Sequence, residues 1–358
     1  MRALRYGMIN QLFSRRSSLQ SLRKMPLLVV AAPDTAELCE LDSLPAALRP
    51  PLGVGKCLAD FEAAGLTAAD LATVDVLLTC GVGPNAASAE TLRLVFAACP
   101  HVKWVHSCSA GVNHCLFPEL VEAPGVALTN ARGVYSASLA EWALLSCLYF
   151  AKDLPRLLAA QADRRWAPYD VEELRGKTLG VVGYGDIGRQ AAVLAKAFGM
   201  TVLALKRTAV PGAGGDGVAS AFYGRDGLHQ MLAACDYILM ATPLTPETQG
   251  MLGAAEFAAM RSHCVFINLG RGACIHEPAL IQALSSGALR GAALDVFATE
   301  PLPAASTLWA LPNVLLSPHC ADRTASFQHD AMRAFVANAQ RYASGQELLS
   351  LVDKRAGY

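Results

Sequence analysis

Short apolar runs, separated by longer stretches of helical character, begin at Leu27 and continue along most of the chain. Runs that are apolar at consecutive positions are typical of strands buried on both faces of a parallel sheet. The first set comprises Leu27–Ala31, Val74–Thr79, Val102–His106 and Val126–Thr129, and the second set comprises Leu179–Val182, Thr201–Leu205, Tyr237–Ala241, Val265–Asn268, Ala292–Leu294 and Val314–Ser317. The pattern predicts an α/β protein with two doubly wound parallel sheets, the second of six strands.

Helical patterns fill several of the connections. Leu92–Ala98 and Ile187–Phe198 lie between predicted strands, and Ala325–Tyr342 follows the last one. The longest apolar run, Leu139–Ala151, contains Glu141 and is too short to cross a bilayer. We therefore expect this run to form a buried helix and predict no membrane partner.

The composition narrows the class of protein. Hydrophobic residues make up 53% of the 358 residues, and 30 basic residues balance 30 acidic ones. A large buried core is expected, and the charge gives no indication of a nucleic-acid partner. The 11 cysteines include no C-x-x-C pair and no zinc-ligand spacing, so no metal site is predicted.

The first 24 residues differ from the rest of the chain. Six of them are cationic and none is acidic, and the first acidic residue is Asp34. This composition fits a mitochondrial presequence, and it equally fits a disordered N-terminal extension of a cytoplasmic protein. On either interpretation we expect residues 1–24 to lie outside the fold, which starts near Met25.

A G-x-G-x-x-G pattern stands at the end of the strand Leu179–Val182. Gly183 allows the backbone to reverse, Gly185 allows a pyrophosphate to approach the main chain, and Gly188 allows the following helix to pack against the strand. The free N–H groups at the start of that helix suit phosphate oxygens. The motif therefore predicts a dinucleotide-binding Rossmann unit.

The end of the next strand bears on the choice of cofactor. An acidic residue usually stands there to bind the ribose hydroxyls of NAD, but this chain has Lys206, Arg207 and Thr208 instead. Two cations and a hydroxyl suit a 2′-phosphate, which an acid would repel. We therefore predict NADP(H) as the preferred cofactor, with NAD(H) as the alternative.

Three further polar motifs follow predicted strands of the second sheet. Arg271 stands between two glycines, where its guanidinium can offer paired N–H donors to a carboxylate. Glu300 and His319 follow the next two strands. A carboxylate beside an imidazole favours the protonated ring, which can then deliver a proton to a carbonyl oxygen near neutral pH.

Together these motifs resemble the D-isomer-specific 2-hydroxyacid dehydrogenase family, which includes glyoxylate and hydroxypyruvate reductases. The resemblance runs from about Leu27 to about Gln340. It implies that Arg271 binds the substrate carboxylate, that His319 is the general acid/base, and that Glu300 orients and charges it. It also implies that a loop containing Ala110, Gly111 and Val112 holds the substrate through backbone N–H groups.

The resemblance implies further cofactor contacts. These are Asp186 and Ile187 on the phosphate turn, Thr242, Pro243 and Thr248 on the adenosine and pyrophosphate wall, and Leu269 and Asp295 beside the nicotinamide. One departure stands close to His319, where Asp322 replaces the commoner glycine. Its carboxylate either raises the pKa of His319 or caps the next helix.

The family also implies the domain layout. A Rossmann NAD(P)-binding domain, residues 133–320, is inserted into a flavodoxin-like substrate domain formed by residues 25–132 and 321–358. The helix from Ser138 is expected to pack across a homodimer interface. The implied activity is the NAD(P)H-dependent interconversion of a small 2-oxo acid and its D-2-hydroxy acid, and the alternative is an NAD(H)-sensing, corepressor-like protein-binding module.

Overall fold

The computed structural model describes residues 24–32, 36–80, 87–207 and 215–358. The sequence prediction for the N-terminal segment therefore falls almost wholly outside the described residues, as does the prediction for Thr208. Within them the chain forms two parallel sheets covered by helices.

The strands are β1 Leu27–Val30, β2 Gly53–Gly55, β3 Val76–Thr79, β4 Trp104–Ser107, β5 Ala127–Asn130, β6 Thr178–Val182, β7 Thr201–Leu205, β8 Ala221–Tyr223, β9 Tyr237–Met240, β10 Val265–Asn268, β11 Gly291–Leu294 and β12 Val314–Leu316. The α-helices are α1 Leu58–Ala63, α2 Ala68–Leu71, α3 Ala89–Ala98, α4 Pro118–Val121, α5 Ser136–Ala151, α6 Leu154–Ala162, α7 Asp186–Ala197, α8 Leu228–Ala234, α9 Ala254–Ala259, α10 Glu277–Ser285 and α11 Phe327–Ala343. Short 3-10 helices cover Ala36–Ser43, Ala46–Leu48, Arg225–Gly227, Gly272–Cys274 and Thr307–Ala310.

The first sheet has the order β2-β1-β3-β4-β5, with every pair parallel. This is the flavodoxin-like order. The four predicted strands occupy its centre and one edge. The strand at the other edge, β2, was not predicted, because Gly53-Val54-Gly55 has almost no apolar run to mark it.

The second sheet has the order β12-β11-β10-β9-β6-β7-β8, also parallel throughout. The order reverses between β6 and β9, and ligands of such sheets bind beyond the carboxyl ends of the strands at that reversal. The fold class is confirmed, but the predicted count of six strands is wrong, because β8 adds a seventh at the edge. Its three residues are only partly buried, so they carry little of the apolar signal that marks the central strands.

The two longest α-helices are α5 and α11. The apolar run from Leu139 forms most of α5, and both Leu139 and Leu144 are buried, as expected. Helix α11 packs on the first sheet, since the ring of Phe335 lies 5.2 Å from that of Trp104 in β4. None of the helices in the described part of the chain has the length and apolarity that a membrane span requires.

The chain after α11 returns to the edge of the first sheet. Leu351 forms an antiparallel bridge with Thr129, and the N–H of Val352 donates to the carbonyl of Leu128 at 2.9 Å. These contacts hold residues 345–358, here called the C-terminal tail, beside β5.

Candidate active site

Arg271 leaves the carboxyl end of β10 through a tight turn. The side-chain oxygen of Asn268 accepts the N–H of Gly270 at 3.0 Å and so reverses the chain. A Cβ on Gly270 would stand 2.7 Å from the carbonyl oxygen of Thr242, and one on Gly272 would stand 1.8 Å from the carbonyl carbon of Phe297. Both glycines are therefore required for the close approach of neighbouring loops, and they fix the backbone on each side of Arg271.

The guanidinium of Arg271 lies against the loop that follows β4. A Cβ on Gly111 would stand 1.7 Å from Nη2 of Arg271, so the cation rests on the bare backbone of this glycine. Asn130 holds the loop by donating from Nδ2 to the carbonyl of Ala110 at 2.5 Å. Within the described residues, the N–H groups of Ala110, Gly111 and Val112 donate no backbone hydrogen bond. The predicted substrate loop and the predicted carboxylate-binding cation are thus brought together.

His319 and Glu300 form a direct pair. Nδ1 of His319 lies 2.7 Å from Oε2 of Glu300, and the second carboxylate oxygen accepts the N–H of Phe297 at 2.9 Å. Both oxygens of Glu300 are therefore engaged, which fixes the orientation of the imidazole. The two side chains are partly exposed, at 43% for His319 and 35% for Glu300, and remain accessible to a ligand.

The surroundings favour the charged form of both partners. The hydrogen bond that His319 donates to Glu300 raises the pKa of His319. The negative charge of Glu300 adds to this rise, while burial and the charge of Arg271 oppose it. Burial acts to raise the pKa of Glu300, but the hydrogen bonds from His319 and Phe297 outweigh it and lower the pKa. Burial lowers the pKa of Arg271, which the nearby carboxylate of Glu300 opposes. The three predicted side chains thus act on one another electrostatically.

Asp295 supports the loop that carries His319. Its carboxylate is buried, and Oδ1 accepts hydrogen bonds from the hydroxyl of Ser317 at 2.6 Å, the N–H of Cys320 at 2.9 Å and the N–H of Ala321 at 3.1 Å. Burial raises the pKa of Asp295. The contacts hold the side chain of Ser317 before His319 and the backbone after it, a role that no pattern in the sequence indicated.

Asp322 does not cap the next helix. Helix α11 begins after Ser326, whose side chain makes no capping bond, and the carbonyl of Asp322 accepts the N–H of Thr324, which lies before the helix. The capping prediction is wrong because four residues separate Asp322 from the first turn of the helix. Burial raises the pKa of Asp322, while the charges of His319 and Arg271 oppose the rise.

The glycine loop has the geometry that a dinucleotide requires. Gly183 has φ +96°, which favours glycine, and a Cβ on Gly188 would stand 2.2 Å from the carbonyl of Gly183. Gly185 precedes α7 without a side-chain cap, and a Cβ there would meet nothing within 4 Å. Asp186 and Ile187 open the helix. Open space in front of uncapped N–H groups fits a pyrophosphate.

The loop after β9 forms the facing wall. The hydroxyl of Thr242 is buried and finds no hydrogen-bond partner among the described residues. The hydroxyl of Thr248 donates to the carbonyl of Pro243 at 2.6 Å and so closes the loop on itself. Leu269, predicted beside the nicotinamide, is buried. The orphaned hydroxyl of Thr242 is consistent with a cofactor contact on this wall.

Aromatic rings hold the two cations at the end of β7. Nζ of Lys206 lies 4.1 Å from the ring centroid of Phe222 and 4.9 Å from that of Tyr184. The guanidinium carbon of Arg207 lies 5.1 Å from the ring centroid of Tyr358, the last residue of the chain. The motif at the end of β7 did not indicate these rings, because all three lie well away from the cations along the chain.

One further contact crosses the cleft between the two sheets. Nδ2 of Asn113, in the loop after β4, donates to the carbonyl of Leu244 in the loop after β9 at 2.9 Å. It lies beside the predicted substrate residues, but nothing in the sequence indicated its partner.

Comparison with known proteins agrees with this geometry. The family model for the NAD binding domain of D-isomer specific 2-hydroxyacid dehydrogenases matches residues 144–321. The chain is 34% identical to glyoxylate/hydroxypyruvate reductase A of Serratia proteamaculans over 263 residues, which are 72% of this chain and 82% of the relative. It is 32% identical to D-3-phosphoglycerate dehydrogenase of Methanocaldococcus jannaschii over 232 residues, but spans only 43% of that protein.

Solved structures give the same result. A D-isomer specific 2-hydroxyacid dehydrogenase from Xanthobacter autotrophicus, in complex with NADPH and MES, is similar with a TM-score of 0.75 and 32% identity, covering 94% of this chain and 100% of the other. An NADPH-dependent glyoxylate/hydroxypyruvate reductase from Sinorhizobium meliloti, in complex with NADP and sulfate, is similar with a TM-score of 0.74 and 28% identity, at the same coverage.

Proposed function

This chain belongs to the D-isomer-specific 2-hydroxyacid dehydrogenase family, and on that premise we propose that it reduces a small 2-oxo acid to the D-2-hydroxy acid with NADP(H) as its preferred cofactor. The substrates that we propose first are glyoxylate and hydroxypyruvate, because relatives of comparable length are named for them. The observation that carries the proposal is the convergence of Arg271 with the paired side chains of Glu300 and His319.

Arg271 and the loop at Gly111 are proposed to bind the substrate carboxylate. A guanidinium offers parallel N–H donors that match a carboxylate, and the backbone N–H groups of Ala110, Gly111 and Val112 add donors from the neighbouring loop. A carboxylate held by both the cation and the loop leaves the adjacent carbonyl in a defined position. The loop and the cation thereby select for a 2-oxo acid.

His319 is proposed to donate the proton to the carbonyl oxygen. Its Nδ1 is engaged by Glu300, so Nε2 is the nitrogen that can donate to a ligand. Glu300 favours the imidazolium, which holds the proton until negative charge develops on the oxygen. When bound, NADPH supplies the hydride that the carbonyl carbon accepts.

The cofactor preference is supported by the two cations after β7. Lys206 and Arg207 present positive charge where an acid would bind an unphosphorylated ribose. Two similar structures carry NADPH or NADP. The corepressor-like alternative has no comparable support, since the relatives named above are all reductases or dehydrogenases.

The assembly and cellular location are proposed on the same premise. We propose a homodimer packed through α5, which light scattering on the purified chain tests. Whether the protein acts in the cytoplasm or in mitochondria depends on residues 1–24, and imaging of the chain with and without this segment tests it.

The deciding experiment follows NADPH absorbance with a series of 2-oxo acids of increasing side-chain size. Turnover is expected with glyoxylate and hydroxypyruvate and a decline is expected with larger acids. Tight NADPH binding without turnover of any 2-oxo acid would reject the reductase and favour a cofactor-sensing role.

A further inference from the structure

The last six residues of the C-terminal tail form a closed loop. The N–H of Asp353 donates to the carbonyl of Tyr358 at 3.0 Å, and the N–H of Gly357 donates to the carbonyl of Asp353 at 2.8 Å. Nζ of Lys354 anchors the loop to the carbonyl of Val126 at 2.8 Å. Because the backbone is tied at both ends, the position of the terminal side chain is defined by the fold.

This loop carries Tyr358 to the cofactor side of the cleft. A Cβ on Gly357 would stand 3.7 Å from the side chain of Leu116, in the loop after β4, and 4.0 Å from that of Thr245, in the loop after β9. Gly357 therefore lies between the two sides of the cleft. Beyond it, the ring of Tyr358 meets the guanidinium of Arg207 at 5.1 Å.

The ring of Tyr358 is the aromatic contact of Arg207 in the described part of the chain. The arginine side chain is exposed, and it has no ion pair within 4 Å in the part of the chain that the structure describes. Hydrogen bonding from Thr245 lowers the pKa of Glu247, and the charge of Arg207 adds to this effect, so that carboxylate lies within electrostatic reach of the guanidinium. The charge of Arg207 also contributes to lowering the pKa of Asp353, whose main cause is the backbone hydrogen bond from Ala356. Without the ring, the guanidinium would be free to turn towards either carboxylate.

We propose that Tyr358 is a positioning residue for NADP(H) that holds Arg207 ready for the 2′-phosphate. The ring attracts the charge of the guanidinium and offers it no hydrogen-bond acceptor oxygen at the ring centre, so N–H donors stay available to a phosphate. The ring also restricts the arginine before binding, which reduces the entropy lost when the phosphate is bound. This inference rests on the proposed NADP(H) preference and adds a residue that no local motif indicates.

The test measures the binding of NADP⁺ and NAD⁺ by calorimetry together with steady-state kinetics. Tyr358→Ala is expected to weaken NADP⁺ binding about 3- to 30-fold, which is the range of a cation–π contact. Binding of NAD⁺ and the value of kcat are expected to stay unchanged, because the ring acts through Arg207 on the phosphate alone. Tyr358→Phe keeps the ring and should bind NADP⁺ normally, and Leu349→Ala is the control for an exposed tail side chain.

A double-mutant cycle that combines Tyr358→Ala with Arg207→Ala separates the role of Tyr358 from the NADP(H) preference. In the Arg207→Ala background, Tyr358→Ala should have no further effect, because the ring has nothing left to position. If Arg207→Ala weakens NADP⁺ binding but Tyr358→Ala does not, the role of Tyr358 is wrong and the NADP(H) preference stands. An equal loss for NAD⁺ and NADP⁺ in Tyr358→Ala would also reject it. If Arg207→Ala leaves the ratio of the two affinities unchanged, the NADP(H) preference fails, and the inference fails with it.

Discussion

Nδ1 of His319 and Oε2 of Glu300 lie 2.7 Å apart, at the ends of segments that follow two neighbouring strands of the second sheet. The residues are 19 positions apart in the sequence, and the parallel pairing of β11 with β12 brings their loops to the same edge. Each loop is held by its own hydrogen bond. The N–H of Phe297 donates to Glu300, and the N–H of Cys320, directly after His319, donates to the carboxylate of Asp295. A hydrogen bond supported from both sides favours the imidazolium before any substrate arrives.

Glu300→Gln should move the pH dependence of reduction towards acid. The hydrogen bond and charge of Glu300 raise the pKa of His319, so the imidazolium persists above the ordinary histidine range and kcat falls only as the pH rises through the raised pKa. Without the carboxylate, the ring loses its proton at lower pH, and the descending limb of kcat moves with it. The measurement is kcat against pH for both proteins. An unchanged limb would show that His319 is not the group that titrates.

His319→Ala should lower kcat by about 10²–10⁴ while NADPH still binds, because general acid catalysis contributes a factor of that order. His229→Ala is the matched control, since this histidine also pairs with a glutamate at 2.9 Å but lies on the exposed surface of α8. It should retain full activity. Full kcat in the His319 variant would remove it from the proposed mechanism.

Arg271→Ala should act mainly on substrate binding. Without the guanidinium, the substrate carboxylate loses a charged hydrogen-bond donor. This loss is expected to raise the KM for glyoxylate roughly 10- to 100-fold. Arg271→Lys keeps the charge but loses the paired donors, so we expect it to recover only part of the affinity. A KM close to that of the unaltered protein in the alanine variant would contradict the proposed carboxylate site.

Asp295 should matter for stability as well as for rate. Asp295→Ala removes the acceptor of three hydrogen bonds from a buried site and should lower the free energy of unfolding by about 3 kcal/mol. Ser317→Ala removes one of these bonds and should cost about 1 kcal/mol. Both variants should also lose kcat, because the backbone that carries His319 is loosened.

Chemical denaturation with urea measures these losses. Asp163→Ala, at an exposed aspartate outside the cleft, should stay within about 0.5 kcal/mol of the unaltered protein. Lower stability with unchanged kcat would mean that the loop keeps its position without Asp295.

The central strands could be predicted from the sequence because burial on both faces leaves unbroken apolar runs. The edge strands could not. Gly53–Gly55 and Ala221–Tyr223 pair on one side only and are short, so their formation depends on the neighbouring strand more than on their own side chains. The three motifs at strand ends were visible for a related reason, since parallel topology brings the ends of successive strands to one edge.

Contacts across the cleft leave no local pattern. Asn113 meets Leu244, 131 positions away, and Arg207 meets Tyr358 through a tail that first returns to β5. Such pairs are set by how the chain crosses between the sheets, which periodicity does not record. The capping prediction for Asp322 is wrong for the opposite reason, because its local sequence suits a cap but the helix begins further on.

Gly111→Ala should separate the role of the substrate loop from general stability. The new methyl group would stand 1.7 Å from Nη2 of Arg271, so the guanidinium, at the end of a flexible side chain, must move aside. A misplacement of about 1 Å in a group that positions the substrate can cost roughly 10² in kcat/KM.

The matched control is Gly125→Ala. Gly125 belongs to the same half of the chain, and a Cβ there would meet nothing within 4 Å, so activity and stability should both be retained. In Gly111→Ala we expect the loss to appear as a raised KM for the 2-oxo acid, with NADPH affinity and melting temperature close to those of the unaltered protein. If NADPH affinity falls as far as substrate affinity, the loop does not act through Arg271 on the substrate carboxylate, and the binding of that group by both the cation and the loop is wrong.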